Sequence, residues 1–155
     1  MPSCVLLEAA AWYDSFCKDV KHADEVELAS YMYDNTAVQE LFLKRLRGRT
    51  AFALNVYVDA EQFSAGVPRL QKTRLKELRS AGAQVYICKG WGRQGAYHCK
   101  AAVVDRRLGY SGGANFTDKS MVNEEICFKM AGPVVRQLLE RLAQHRQRFK
   151  LWNGL

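Results

Sequence analysis

His98 and Lys100, two positions apart, interrupt an otherwise apolar run, YHCKAAVVD. In an extended chain successive side chains alternate faces, so His98 and Lys100 project together while Cys99 points away. A histidine beside a lysine is costly to bury, because each polar group then needs a partner. Asp105 ends the run at a turn with Arg106 and Arg107. The chain then returns to Gly112-Gly113-Ala114-Asn115, a flexible loop that can bring Asn115 back beside His98 and Lys100. An imidazole is a competent nucleophile, and an ammonium with a carboxamide is suited to hold the non-bridging oxygens of a phosphate. These residue types point to attack on phosphorus.

The spacing of His98, Lys100, Asp105, Gly112 and Asn115 resembles the HxK-x4-D-x6-G-x2-N signature of the phospholipase D superfamily, with every fixed position present. Asn123-Glu124-Glu125, leading into ICFKM, looks like the family's N-x-E segment, with Glu125 the match and Glu124 the alternative. In size and element order the chain is similar to the small bacterial phospholipase-D-type endonucleases. Many members carry Ser after the first glycine of the loop where this chain has Gly113, which places only a hydroxyl's contact with phosphate in question. The resemblance implies a two-step reaction. His98 attacks phosphorus to form a phosphohistidine, a second histidine protonates the leaving oxygen, and water releases the product. Lys100 and Asn115 would hold the phosphate oxygens, with Gly113 beside them, and Glu125 would fix the tautomer of His98. Asp105 is either a supporting catalytic group or a turn residue that ends the strand. This chemistry calls for no metal and no cofactor.

Attack and leaving-group protonation fall on opposite sides of phosphorus, so one imidazole serves poorly for both. The two other histidines, His22 and His145, have no lysine two residues on. The expected second group is therefore His98 of another copy, in a homodimer about a two-fold axis. A second motif elsewhere in a longer chain would serve equally, and a start at Met1 makes a fragment the lesser expectation.

The elements that must position these groups alternate between helical and extended patterns. A helix is expected over residues 3–20, a strand over 25–33, and a helix from a cap at Asp34 or Asn35 through Arg47. Further strands are expected at 51–59, 83–88, 97–105 and 124–130, with helices at 68–81 and 133–149. Together they predict a single α/β domain over residues 1–155: a mixed, largely parallel sheet flanked by helices on both faces.

Composition narrows the functions. With 155 residues, 48% apolar and 25% charged, the chain fits one globular domain and not a disordered segment. No apolar run is long enough to span a bilayer, and the N-terminus lacks a basic region before its apolar patch, so an intracellular protein is expected. The five cysteines have no repeated spacing and no C-x-x-C, which argues against a disulfide framework or a structural zinc; Cys88, Cys99 and Cys127 read as small core residues. A net charge of +7 favours a polyanionic partner, nucleic acid first and an anionic phospholipid second.

Two short motifs mislead. Gly90 to Gly95 matches G-x-G-x-x-G, but a strand and not a helix follows it, which excludes a dinucleotide site. The loop reads either as a plain turn or as the mouth of the site, with Trp91 stacking on a base and Arg93 meeting a phosphate. Gly109 to Gly113 matches G-x-S-x-G without the helix a hydrolase elbow requires. Arg69, Lys72, Arg74, Lys76 and Arg79, and the arginines at 136, 141, 146 and 148, fit either a backbone-binding groove or ordinary solvated helix faces. Three functions compete: a nuclease, a phospholipase, and an idle nucleic-acid-binding module. The intact His98, Lys100 and Asn115 speak against the last.

Overall fold

The computed structural model describes Met1–Leu155. Strand β1 (Ser3–Leu7) precedes α1 (Ala9–Val20), β2 (Glu25–Ser30), α2 (Thr36–Leu46), β3 (Ala53–Asp59), α3 (Ala60–Ala65), α4 (Gln71–Ser80) and β4 (Gln84–Cys88). The second half runs β5 (Lys100–Val104), β6 (Leu108–Gly112), α5 (Asp118–Met121), β7 (Cys127–Ala131), α6 (Pro133–Arg148) and β8 (Lys150–Leu151). All strands share one sheet in the order β1-β7-β6-β5-β2-β3-β4-β8.

The mixed α/β sheet implied by the sequence is present. Parallel pairing is narrower than expected, being confined to β2 with β3 and β3 with β4. Every other neighbour is antiparallel. The physical reason is connection length. β5 and β6 are joined by three residues, which suffice for a hairpin but not for a parallel crossover. Only the helical links 31–52 and 60–83 allow parallel return.

The sheet buries both faces. Trp12 and Phe16 of α1, Val38 and Phe42 of α2, and Leu75 and Leu78 of α4 pack on Val26, Leu28, Val56, Val85 and Ala102. The opposite face carries α6, whose Val135, Leu139 and Leu142 meet Ala29, Tyr57, Tyr86 and Val103. Period-two alternation along β2 explains both contacts: Val26 and Leu28 face one layer, Glu27 and Ala29 the other. Glu27 is buried under α6 and satisfied there by Arg146 (2.7 Å), Tyr57 Oη (2.7 Å) and Asn55 (3.0 Å).

Several boundaries differ from expectation. Residues 3–7 form a strand rather than the start of a helix, because they pair antiparallel with β7, Ser3 opposite Ala131 through Leu7 opposite Cys127. Helical periodicity begins only at Ala9. The run 25–33 leaves the sheet after Ser30. Asn35, not Asp34, caps α2, accepting from the Val38 amide at 2.9 Å. The short helix α3 is unanticipated, and Asp59 caps it.

Candidate active site

β2 and β3 run parallel, and their C-terminal ends meet the N-terminal end of β5 at one edge of the sheet; Ser30 stands opposite Lys100 in register. His98 lies two residues before Lys100 in an extended lead-in anchored by the Tyr97 amide, which donates to Asp59 Oδ2 at 2.7 Å. Tyr97 and Cys99 turn toward the α6 layer. His98 and Lys100 therefore emerge on the other side, as alternation predicts. Lys100 Nζ lies 3.0 Å from His98 Nδ1 and 3.3 Å from Nε2. The ring of Tyr31, just past β2, stands 4.4 Å from the imidazole, and Lys100 Nζ lies 5.6 Å over that same phenol ring.

Asn115 is brought to this edge by a stitched segment. Its Oδ1 accepts from the Met32 amide at 3.2 Å, its carbonyl accepts from Tyr13 Oη, and the Phe116 amide donates to Ser30 Oγ at 3.0 Å. The carboxamide oxygen is thus engaged with backbone, which leaves the NH2 group to meet an anion. Gly112 is obligatory: a Cβ there would sit 2.4 Å from the Ile126 carbonyl oxygen. At Gly113 a Cβ would meet Glu125 Oε2 at 2.5 Å, so the glutamate carboxylate fills the space a serine side chain would take. The Gly113 amide donates to Ile126 O at 2.9 Å and is not free for a phosphate.

Electrostatics suit a nucleophile. Partial burial, reinforced by the Lys100 ammonium and opposed by Asp59, holds the His98 imidazole below the usual histidine range. The ring is then largely neutral near pH 7, with a lone pair to offer. Partial burial also lowers the Lys100 ammonium below the usual lysine range, opposed by nearby negative groups including Glu125.

One expected member stands elsewhere, and another lies nearby without bonding to His98. Asp105 is at the far end of β5, roughly 16 Å along the strand from Lys100. Its Oδ1 accepts from the amides of Asp24 (2.7 Å) and Glu25 (3.1 Å), tying the β5–β6 turn to the start of β2. These bonds anchor the turn. Glu125 reaches Asn123 Nδ2 (3.3 Å) and the Gly113 backbone; no hydrogen bond or ion pair joins it to the His98 of its own chain. Glu124 is exposed beside it.

The G-x-G-x-x-G loop closes on itself through the Gly90 amide and Gly95 O (2.9 Å). Trp91 is 75% exposed at its tip, and Arg93 lines a cavity of about 370 Å³ shared with Asp59. Of the basic helix, Arg74 is bound to Thr36 and Arg79 to the Trp152 carbonyl, while Lys72 covers Phe63. No group of three or more His, Cys, Asp or Glu side chains is arranged to hold a metal, and no helix is long and apolar enough to cross a membrane. Sequence reasoning missed Tyr31 and Asp59. Both lie at the C-terminal ends of parallel strands, the place where α/β sheets gather ligands, and that rule is the signal that finds them.

Comparison with known proteins decides the family. The family described as cardiolipin synthase, PLD-like domain, matches residues 18–150. The chain belongs to this phospholipase-D-like family. Membership makes it, in general terms, an enzyme of phosphodiester chemistry. The phospholipase-D-like fold is shared with Nuc of Salmonella typhimurium, a phospholipase D family member, at a TM-score of 0.80 and 14% identity, covering 98% of this chain and 99% of that one. It is shared with NucT from Helicobacter pylori (TM-score 0.78, 14% identity, 98% and 100% covered). Phosphatidylserine synthase from Haemophilus influenzae matches with a TM-score of 0.73 at 14% identity, over 97% of this chain and 40% of its own. No curated protein matches the sequence.

Proposed function

We propose that this phospholipase-D-like chain is a metal-independent nuclease that cuts DNA or RNA through a phosphohistidine at His98, in a homodimer. The observation that carries this reading is the exposed, neutral-leaning imidazole of His98 with the Lys100 ammonium 3.0 Å away, at the edge where Asn115 is fixed. A ring nitrogen of His98 forms a bond to phosphorus as the bond from phosphorus to the leaving oxygen breaks. The leaving oxygen takes a proton from the partner's His98. Water then attacks phosphorus, gives its proton to that same imidazole, and the P–N bond breaks. Lys100 and the Asn115 NH2 group hold the non-bridging oxygens as charge grows on them.

Two features support the homodimer. The reaction calls for an imidazole on each side of phosphorus, and one chain brings only His98 to this edge: His22 lies beside Asp105 at the far end of β5, and His145 is bound to Tyr97 Oη. Glu125 borders the site, near enough for its charge to act on Lys100. Beside it lies an apolar margin, with Val122 85%, Ile126 67% and Leu6 64% exposed, around a cavity of about 700 Å³. Exposed apolar surface of this kind gains from burial against another molecule.

That margin also favours a second reading, hydrolysis of an anionic phospholipid whose acyl chain would occupy the same cavity. One experiment separates the readings. Protein in EDTA is offered plasmid, single-stranded oligonucleotide, RNA and labelled phospholipid vesicles, beside His98→Ala. Metal-independent cutting of nucleic acid, lost in the variant, is the expected result. Turnover of lipid alone overturns the nuclease, and nucleic-acid binding without turnover in the unaltered protein overturns the enzyme.

A further inference from the structure

The loop that leads into His98 carries a feature the phosphoryl chemistry does not use. The Arg148 guanidinium lies 3.5 Å from the centre of the Trp91 ring, and its Nη2 reaches the Gly90 carbonyl at 3.5 Å. Arg148 is itself backed by the Phe149 ring at 4.8 Å. One face of the indole is thus covered by a cation held from the end of α6, while the residue as a whole stays 75% exposed. The loop that presents it is closed in one shape. A Cβ on Gly90 would fall 2.2 Å from Gly95 C, and a Cβ on Gly95 would fall 2.2 Å from Trp91 O. A tryptophan pre-set in this way, with an open outer face, loses little freedom when a flat π-system is laid on it.

We infer that Trp91, supported by Arg148, is a stacking shelf for an unpaired nucleobase next to the scissile phosphate. The adjoining cavity of about 370 Å³ has Lys89 and Arg93 on its wall, placed for the neighbouring phosphate, with Glu61 on the same wall keeping it from being uniformly cationic. Asp59, which also lines this cavity, accepts from the amide of Tyr97, the residue before His98, at 2.7 Å, so shelf, cavity and nucleophile adjoin. An aromatic face holds bases of any sequence, and a paired base inside a duplex cannot reach it. The shelf therefore selects single-stranded or unstacked nucleic acid over duplex DNA, and over a phosphodiester without a base. This deepens the nuclease reading and rests on it for the identity of the substrate.

The test compares wild type, Trp91→Ala, Trp91→Phe and Gly95→Ala on a single-stranded oligonucleotide and on one of equal length with an abasic spacer beside the cleaved bond. Trp91→Ala is expected to raise KM for the base-bearing strand by about ten-fold or more, with kcat nearly kept. Trp91→Phe restores most of the loss and Gly95→Ala reproduces it, while the abasic strand is cut equally by wild type and the two Trp91 variants. Binding is read separately in His98→Ala through quenching of Trp91 fluorescence, with Trp91→Phe as the blank. Equal KM values for wild type and Trp91→Ala on the base-bearing strand overturn the shelf. Quenching by the base-bearing strand with no cutting by wild type leaves the shelf standing and overturns the nuclease instead.

Discussion

The two ends of β5 are built from similar materials and finished differently. At one end Lys100 and His98 face each other, both lowered in basicity, with no carboxylate between them. At the other, Asp105 accepts two backbone amides, and its own amide donates to Glu25 O at 3.0 Å. Arg106 and Arg107 pair there with Glu25 and Asp105, each at 3.7 Å. The Asp105 end satisfies its polar groups from within and holds the hairpin, although Asp105 and Arg106 both adopt φ near +50° (49° and 57°), a region that L-residues seldom occupy. The Lys100 end instead sets an ammonium against an imidazole, with the His98 ring open to solvent. One end is tied to backbone and the other is presented outward.

Substitutions should separate the ends. His98→Ala is expected to cost several powers of ten in kcat while Tm stays within about 2 °C, because the side chain is exposed and buries little; calorimetry beside a cleavage assay reads both. Lys100→Met is expected to lower kcat by roughly 10²–10³-fold, with stability unchanged or slightly raised, since a half-buried cation without a carboxylate partner is removed. A loss of several degrees in Tm for either variant would erase the contrast.

The pH profile sharpens it further. With the folded value of His98 depressed, the neutral nucleophile persists as pH falls, and activity is lost only below the usual histidine range. The leaving oxygen needs a protonated His98 from the partner, so the alkaline limb also belongs to this imidazole and begins at lower pH than an ordinary histidine would give. Lys100→Met should move the His98 titration part of the way back up, since the larger cause, burial, remains. An NMR titration of the imidazole measures the shift, and a move downward would contradict the assigned causes. The smallest catalytic effect belongs to Asp105→Ala: about 1–2 kcal/mol of stability lost, as two backbone amides lose a charged acceptor, with kcat within about two-fold of wild type. A large loss of kcat there would return Asp105 to the chemistry.

Much of this was legible in the sequence because the decisive information is local. His98 and Lys100 share a side through simple alternation, and Gly112 and Asn115 lie within a short hairpin of them. What was not legible depends on distant partners. β1 is a strand only because β7, more than a hundred residues on, offers it an edge. The apolar run VLLEAAAW carries a helical pattern equally well. Glu125 was matched by analogy to the group that holds His98; its carboxylate stands against Gly113, with no hydrogen bond to the imidazole of its own chain. Asp105 had two readings of equal standing, and its bonds to the amides of Asp24 and Glu25 depend on a strand far earlier in the chain. Arg148 resembled its neighbours on a basic helix, and nothing in the spacing foretold that it would close over Trp91.

The sheet order has a practical meaning for anyone who would join two copies into one polypeptide. β1 and β8 occupy opposite margins of the eight-stranded sheet. At about 4.8 Å between neighbouring strands those margins stand roughly 30 Å apart. A tether from the tail of one copy to the head of the next spans that width only with about ten extended residues or more. Shorter tethers hold the copies margin to margin, and longer ones let them fold face to face. A graded series of such fusions is a molecular ruler for the arrangement of two copies that the proposed reaction requires.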